Sequence, residues 1–136
     1  MREIIFRGKR ADNDEWIKWT ALAALFANPL NIEVDLNTVG ASTGITDVNG
    51  KMIFEGDIVK THYANSNNKS DFVEEVVYRG CRFCAKAELS GGGAMFMPLF
   101  DGTPHVSADK SVYMDRVEVI GNIHDNPELL NERDGK

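Results

Sequence analysis

Two cysteines, Cys81 and Cys84, have the C-x-x-C spacing found in zinc and redox sites. On a β-strand their side chains point to opposite faces, whereas a shared metal ion or a disulfide requires the two sulfur atoms to converge. A structural zinc site also needs four ligands, and the sequence has no second C-x-x-C and no H-x-x-x-H pair. We therefore interpret both cysteines as core or surface residues and expect no metal ion and no other cofactor.

Acid–base and phosphate chemistry have equally weak signals. The three histidines each lie near a turn and share no short spacing: His62, His105 and His124. His124-Asp125 follows a strand, where a general base can be placed, but no nucleophile motif accompanies it. Gly91–Gly93 precedes a strand-like segment, whereas a P-loop continues with Lys-Ser/Thr and a helix. Glu55 and Asp57 share a strand face, a spacing more typical of solvated or backbone-capping carboxylates. The sequence predicts no enzyme.

The N-terminus carries a basic segment with aromatic residues. Residues 1–10 contain four basic residues and one acidic residue (+3), which leaves 11 basic against 20 acidic residues (−9) in the rest of the chain. Such a segment could contact a phosphate, a nucleic acid or the acidic face of another copy, or it could be a solvated edge strand guarded by charges. The net charge of −6 and the pI of about 5.0 weigh against nucleic acid. The candidate contact residues are Arg7, Lys9, Arg10, Trp16 and Lys18.

These residues belong to a predicted N-terminal hairpin. β-Branched and aromatic residues at 4–7 and 16–19 flank a polar turn. An alanine-rich segment with Thr20 as cap and Asn28-Pro29 as stop predicts a short helix at about 20–27. Alternation predicts a strand at 32–36, followed by a loop at 37–43.

The segment 44–60 predicts a tight strand–turn–strand unit. Asn49-Gly50 favours a two-residue type I′ hairpin turn, because both central positions of that turn need positive φ. Gly56-Asp57 interrupts the apolar pattern and indicates a bulge or sharp bend before the next strand. Corners of this kind are typical of small barrels.

The remaining chain predicts further strands and one short helix. Strands at 72–78 and 81–89 form a hairpin, and 95–100, which contains Pro98, is an edge strand or a strand ended by a bulge. The last strand covers 116–123. Asn126 as N-cap and Pro127 at the first helical position predict a short helix at about 126–131, and residues 131–136 form a frayed tail.

Three segments resemble the YopX family of bacteriophages and prophages. The first is the opening, 1–10 with Glu15-Trp16; the second is 43–59; and the third is 119–130. The resemblance implies a mostly β protein with a small barrel, of phage or prophage origin, and it supplies no catalytic residues. The family-motif residues are Gly44, Asn49, Gly50, Glu55, Gly56, Asp57, Gly121, Asn122, Asn126 and Pro127.

We therefore predict a mainly β single domain over 1–130, with an N-terminal hairpin region at 1–40 and an SH3-like or similar small barrel with the C-terminal helix at 41–130. Its longest apolar run, 21–27, is shorter than the roughly 20 residues that cross a bilayer. No secretory signal is visible, so we expect a cytoplasmic location in the bacterial host and no membrane contact. The expected function is a non-enzymatic binding or assembly module with a protein partner or another copy; a nucleic-acid-binding protein and a small enzyme are the alternatives.

Overall fold

The computed structural model describes residues 4–20, 32–62, 72–79, 82–88, 93–98, 105–106, 112–113 and 116–133. The strands are β1 (Ile5–Arg10), β2 (Trp16–Thr20), β3 (Val34–Thr46), β4 (Met52–Phe54), β5 (Asp57–His62), β6 (Phe72–Arg79), β7 (Arg82–Glu88), β8 (Ala94–Pro98), β9 (His105–Val106), β10 (Val112–Tyr113) and β11 (Arg116–Asn122). One 3-10 helix, Pro127–Arg133, follows β11. The mainly β class is confirmed.

The strands form open antiparallel sheets. The N-terminal sheet has the order β2-β1-β3-β4, and the C-terminal sheet has the order β11-β5-β6-β7-β8. Strands β9 and β10 pair with each other. The described strand pairings close no barrel, so the expected SH3-like barrel is not found in this part of the chain. A hydrogen bond from the Val48 amide to the Val117 carbonyl connects the β3–β4 turn to the C-terminal sheet.

The predicted N-terminal hairpin is confirmed. Strands β1 and β2 pair with Phe6 opposite Trp19 and Lys9 opposite Trp16. The expected helix at about 20–27 lies outside the described residues except for Thr20, which is the last residue of β2.

Strand β3 is longer than its sequence suggests, and the loop predicted at 37–43 is wrong. Its pairing with β1 shifts between Arg7, which lies opposite Gly40, and Lys9, which lies opposite Asp35. The shift leaves residues 36–39 as a bulge. The Asp35 side chain accepts a hydrogen bond from the Asn37 amide, and Thr38 Oγ1 donates to the Asp35 carbonyl. The polar residues that resemble a loop therefore satisfy a bulge inside a 13-residue strand.

The β3–β4 turn also differs from the expected type I′ geometry. The Gly50 amide donates to the Asp47 carbonyl at 3.0 Å, so Val48 and Asn49 are the central residues of the turn. Positive φ occurs at Gly50 (81°) and not at Asn49. This is the longer hairpin loop, in which a glycine in the left-handed region follows an ordinary turn. The Asp47 carboxylate stabilises this loop by accepting hydrogen bonds from the amides of Asn49 and Lys51.

The hydrophobic core lies between the β3–β4 hairpin and one face of the C-terminal sheet. Its buried residues are Ile53, Val59, Val76 and Val117, and the partly buried Ile45, Phe83 and Val119 pack against them. Burial alternates at the start of the last strand, because Val117 is buried whereas Arg116 and Glu118 are exposed.

The C-terminal half follows the predicted order. Strands β6 and β7 form the expected hairpin, and β8 is an edge strand of the described sheet. The helix expected at about 126–131 takes the 3-10 form and continues to Arg133. None of the described helical residues forms a segment with the length and hydropathy needed to cross a membrane.

Candidate functional site

Two basic residues of strand β1, Arg7 and Lys9, point toward the body of the protein. Arg7 has an exposed fraction of 9% and lies in an ion pair with Asp57, with its Nη2 atom 2.7 Å from Oδ1. The guanidinium carbon is 4.8 Å from the ring centroids of both Trp16 and Phe54. A cation that has lost its water is attracted by such ring faces and by the carboxylate. Arg7 therefore joins the N-terminal hairpin to the turn between β4 and β5.

The partner of Arg7 is more deeply buried. Asp57 is 1% exposed, and its Oδ2 atom accepts a hydrogen bond of 2.7 Å from the Phe54 amide. Burial raises the pKa of Asp57 above its ordinary value, although the Phe54 amide and the Arg7 guanidinium act in the opposite direction. Arg7 Nε and Nη2 are both buried without a hydrogen bond of good geometry among the described residues, so the 2.7 Å contact of Nη2 with Asp57 is a contact of opposite charges. The geometry is that of a charge pair inside an aromatic enclosure.

A second ion pair fixes the same hairpin near the end of β11. Lys9 Nζ pairs with Asp125 Oδ1, and Trp16 Nε1 donates to Asp125 Oδ2 at 2.7 Å. Asn122 Nδ2 donates to the same oxygen at 3.1 Å. Hydrogen bonds from Lys9 and Trp16 lower the pKa of Asp125 to about 2. The carboxylate is therefore held ionised as the common acceptor of three groups. We call the Arg7–Asp57 and Lys9–Asp125 pairs, with Trp16 and Phe54, the junction.

The C-terminal motif shapes the loop that presents Asp125. Asn122 Oδ1 accepts hydrogen bonds from the amides of His124 and Asp125, and Asn126 Oδ1 accepts from the Asn122 amide. A Cβ atom at Gly121 would lie 2.6 Å from Asn126 Oδ1. Glycine is thus required at position 121, because a side chain there would come too close to Asn126. Pro127, at the start of the 3-10 helix, follows this loop directly.

The central motif connects the sheets through backbone hydrogen bonds. The Gly56 amide donates to the Val76 carbonyl, and the Ile123 amide donates to the Gly56 carbonyl, both at 2.9 Å. Gly56 has a φ of 91°, a conformation that side chains rarely adopt. The Gly56 turn therefore links β6 to the end of β11.

The Asp47 turn covers the other end of β11. The Val48 amide donates to the Val117 carbonyl, and Asp47 Oδ2 accepts from the Val119 amide at 2.9 Å. Burial opposes the charge, but hydrogen bonds from the amides of Val119, Lys51 and Asn49 lower the pKa of Asp47 below its ordinary value. Asn49 and Gly50 complete this turn at exposed positions. Both residues help to form the turn that connects the two sheets.

The other two motif residues support the same hairpin. Gly44 has positive φ (80°) within β3. The Glu55 amide donates to the Ala41 carbonyl, and the Glu55 carbonyl lies 2.6 Å from the position of a Cβ on Gly40. Within the described residues, all ten predicted motif positions belong to turns, close contacts or connections of the fold.

The predicted contact residues have diverse surroundings. Arg7 and Lys9 take part in the junction, as does Trp16. Arg10 forms a bidentate contact with Asp12 at the hairpin turn, with Nε and Nη2 at 2.9 and 2.7 Å from the two carboxylate oxygens. Lys18 is exposed, and its Nζ atom lies 5.3 Å from the centroid of the Phe54 ring. The junction thus includes three of the five.

Sequence reasoning does not identify Phe54 and Asp125 as partners of the basic hairpin. Asp125 follows Lys9 by 116 residues, and no local pattern connects them. The Asn122-x-x-Asp125 spacing is a signal for a tight polar loop, but it does not name the distant cation. His124 also lies beside the junction, with its ring centroid 5.9 Å from that of Trp16.

Metal ligation has no geometric basis among the residues that the structure describes, because no three His, Cys, Asp or Glu side chains converge there. Cys84 is buried in β7 and free, whereas Cys81 lies outside the described residues.

The fold and the junction define an all-β protein in which two open sheets are joined by motif turns, by a buried charge pair and by a partly exposed one. The chain matches the family described as YopX protein over residues 9–131, and it belongs to that family. Among solved structures, it is similar to the crystal structure of protein EF1440 from Enterococcus faecalis, with 24% identity, 93% of this chain and 97% of that chain covered, and a TM-score of 0.49. None of the curated proteins compared with the chain matches it.

Proposed function

We propose that this YopX-family protein is a non-enzymatic binding or assembly module of phage or prophage origin, acting in the bacterial cytoplasm. The family membership supports the origin, because its members are phage and prophage proteins. The contact surface that we propose is the outer face of the N-terminal sheet.

The orientation of the N-terminal hairpin carries this proposal. Neighbouring residues on a strand point to opposite faces, so the face opposite Arg7 and Lys9 is set by the register. A Cβ atom on Gly8 would lie 2.6 Å from Val34, 3.2 Å from Val39 and 3.3 Å from Trp19, which places these three side chains together on that face. Phe6 stacks on Trp19 with ring centroids 6.1 Å apart.

This outer face is largely apolar. Its residues are half-buried or exposed: Phe6, Ile17, Trp19, Val34, Val39 and Ala41. The adjacent bulge presents Leu36, which is 84% exposed. Contiguous apolar surface with aromatic residues is typical of protein–protein contacts. A protein surface is therefore the partner that this face fits.

Nucleic-acid binding is the weaker candidate. It requires cations that are available to phosphates, whereas Arg7, Lys9 and Arg10 have carboxylate partners within the chain. Lys18 is the exposed member of the set.

The proposal is tested by replacing Val39, which is 36% exposed, with lysine. We expect association with another copy, or with a partner recovered from phage-infected cells, to weaken in Val39→Lys and to persist in Tyr78→Ser. Tyr78 is a more exposed residue (55%) of the C-terminal sheet and serves as the control. Light scattering over a concentration series and quantitative pull-down are the measurements. A chain that stays monomeric and recovers no partner in a Val39-dependent way would overturn the proposal.

A further inference from the structure

The bulge of strand β3 is a rigid projection that ends in an apolar side chain. Leu36 is 84% exposed. Asp35 Oδ1 accepts from the Asn37 amide at 3.1 Å, Thr38 Oγ1 donates to the Asp35 carbonyl at 2.6 Å, and the Lys9 amide donates to Thr38 Oγ1 at 2.8 Å. These bonds fix the backbone on both sides of Leu36. A leucine held in this way loses little conformational freedom when it is buried by a partner.

The projection is also acidic. Glu33 and Asp35 are both exposed and precede Leu36 in the chain, which makes this segment acidic. We call Glu33, Asp35 and Leu36 the knob. A surface that accepts the knob needs a small apolar recess with a basic rim, because a desolvated carboxylate without an opposite charge is costly.

The C-terminal sheet has a cleft with these properties. It has a volume of about 280 Å³ and is lined by Val48, Lys60, His62, Arg116, Val117 and Glu118. Its apolar wall comes from Val48, which is 48% exposed where the Asp47 turn meets β11, whereas the side chain of Val117 belongs to the core. This volume is just below the about 300–1,000 Å³ typical of small-molecule pockets, and it is large enough for one aliphatic side chain.

The cleft has a basic rim. Arg116 lies opposite His62, and Glu118 lies opposite Lys60, in the pairing of β11 with β5. Lys60 and Arg116 are exposed, and neither forms an ion pair within 4 Å in the part of the chain that the structure describes. These two cations outweigh the single carboxylate of Glu118. The cleft thus complements the knob in both size and charge.

We infer that the knob of one copy docks in the cleft of a second copy of this chain, with Leu36 against Val48 and with Glu33 and Asp35 facing Lys60 and Arg116. This inference rests on the proposed function and specifies its partner. The two surfaces are different, so each copy carries one of each. Such contacts form a closed dimer when they are reciprocal, and a ring or an open chain when they are not.

Charge exchange between two variants tests the contact. The knob variant combines Glu33→Lys with Asp35→Asn, which keeps an acceptor for the Asn37 amide, and the cleft variant combines Lys60→Glu with Arg116→Glu. We expect each variant alone to lose at least about tenfold in self-association by light scattering, because every such factor corresponds to about 1.4 kcal/mol of contact energy. An equimolar mixture regains association, since the charges are then opposite again. Association of the unmodified chain is expected to weaken as salt is raised.

Two further variants complete the experiment. Leu36→Asp removes the apolar tip and is expected to abolish self-association. Lys51→Glu changes an exposed lysine outside the cleft, and self-association is expected to stay unchanged. Circular dichroism and thermal unfolding establish that each variant folds. Self-association that responds to Val39→Lys but not to the charge exchange would overturn the docking and leave the proposed function intact. A monomeric unmodified chain would overturn the docking, and Val39-dependent recovery of another partner would still support the proposed function.

Discussion

The guanidinium of Arg7 and the carboxylate of Asp57 lie 2.7 Å apart at the point where the N-terminal hairpin meets the β4–β5 turn, and both side chains are almost excluded from solvent. Two motif segments that are distant in the chain therefore share one buried charge pair. The aromatic rings of Trp16 and Phe54 enclose the cation. Fixation of the hairpin depends on this pair, since an unpaired charge at the same place is strongly unfavourable.

Replacement of Arg7 by methionine is expected to destabilise the protein by about 3–5 kcal/mol, because it leaves the Asp57 carboxylate buried without its cation. Asp57→Asn keeps an acceptor for the Phe54 amide and leaves the guanidinium unpaired. The double variant is expected to cost less than the sum of the two single variants, since it has neither unpaired charge. Denaturant unfolding of all four proteins measures the coupling. Arg10→Met is the matched control, because Arg10 also pairs with an aspartate but at the surface, and little change is expected.

Asp125 is expected to make the stability of the protein depend on pH in the acidic range. Its pKa is lowered from 3.8 to about 2 in the folded protein. The folded state therefore binds the proton less tightly than the unfolded state, so the contribution of Asp125 is fully present above the unfolded pKa and is lost as pH falls toward 2. Asp125→Asn removes this dependence.

The measurement is the difference in unfolding free energy between the native sequence and Asp125→Asn from pH 2 to 5. The difference isolates Asp125 from Asp57, whose raised pKa has the opposite effect: its contribution is present at low pH and is lost as pH rises. A difference that is constant across this range would show that the contacts with Lys9 and Trp16 do not lower the pKa of Asp125.

Local sequence patterns predict much of the sheet structure. Alternation in 116–122 places Val117 in the core and Arg116 in solvent, and turn residues between 72–79 and 82–88 predict their hairpin. These features depend on neighbouring residues and on a period of two, which a single sequence displays directly. Parts of the family motifs are similarly local, because the side chains of Asp47 and Asn122 accept hydrogen bonds from amides two to four residues away.

Neighbouring residues do not reveal which face of the β1–β2 hairpin packs against the body of the protein. Strand β1 alternates apolar and basic residues, and the usual rule would place Phe6 inside and Arg7 outside. The reverse holds because Asp57 and Asp125, from distant parts of the chain, supply the charges that make burial of Arg7 and Lys9 favourable. The type I′ prediction at Asn49-Gly50 is wrong for a related reason. The side chain of Asp47 adds acceptors that the dipeptide alone does not reveal.

Gly121→Ala is expected to destabilise the C-terminal loop by about 1–3 kcal/mol, because the added methyl group would overlap a packed region. Its Cβ would lie 2.6 Å from Asn126 Oδ1 and 2.9 Å from Leu129 Cδ1. Chemical unfolding measures the loss. Gly50→Asn is the control, since a Cβ at Gly50 meets no atom within 4 Å and asparagine tolerates the positive φ of that position. Equal losses in the two variants would mean that the close approach at Gly121 is not the cause.

Asp47 is expected to be the strongest single connection between the β3–β4 turn and β11. Its Oδ1 atom accepts from the amides of Asn49 and Lys51, and its Oδ2 atom accepts from the Val119 amide. Asp47→Asn retains one acceptor oxygen, whereas the new NH2 group cannot accept from Val119. A buried amide that loses its partner costs about 1–3 kcal/mol, so we expect a loss of this size in unfolding free energy and faster hydrogen exchange at Val119. Asp47→Ala removes all three bonds and is expected to cost more. Unchanged exchange at Val119 in Asp47→Asn, with the turn amides still protected, would show that the edge of β11 is held by other contacts.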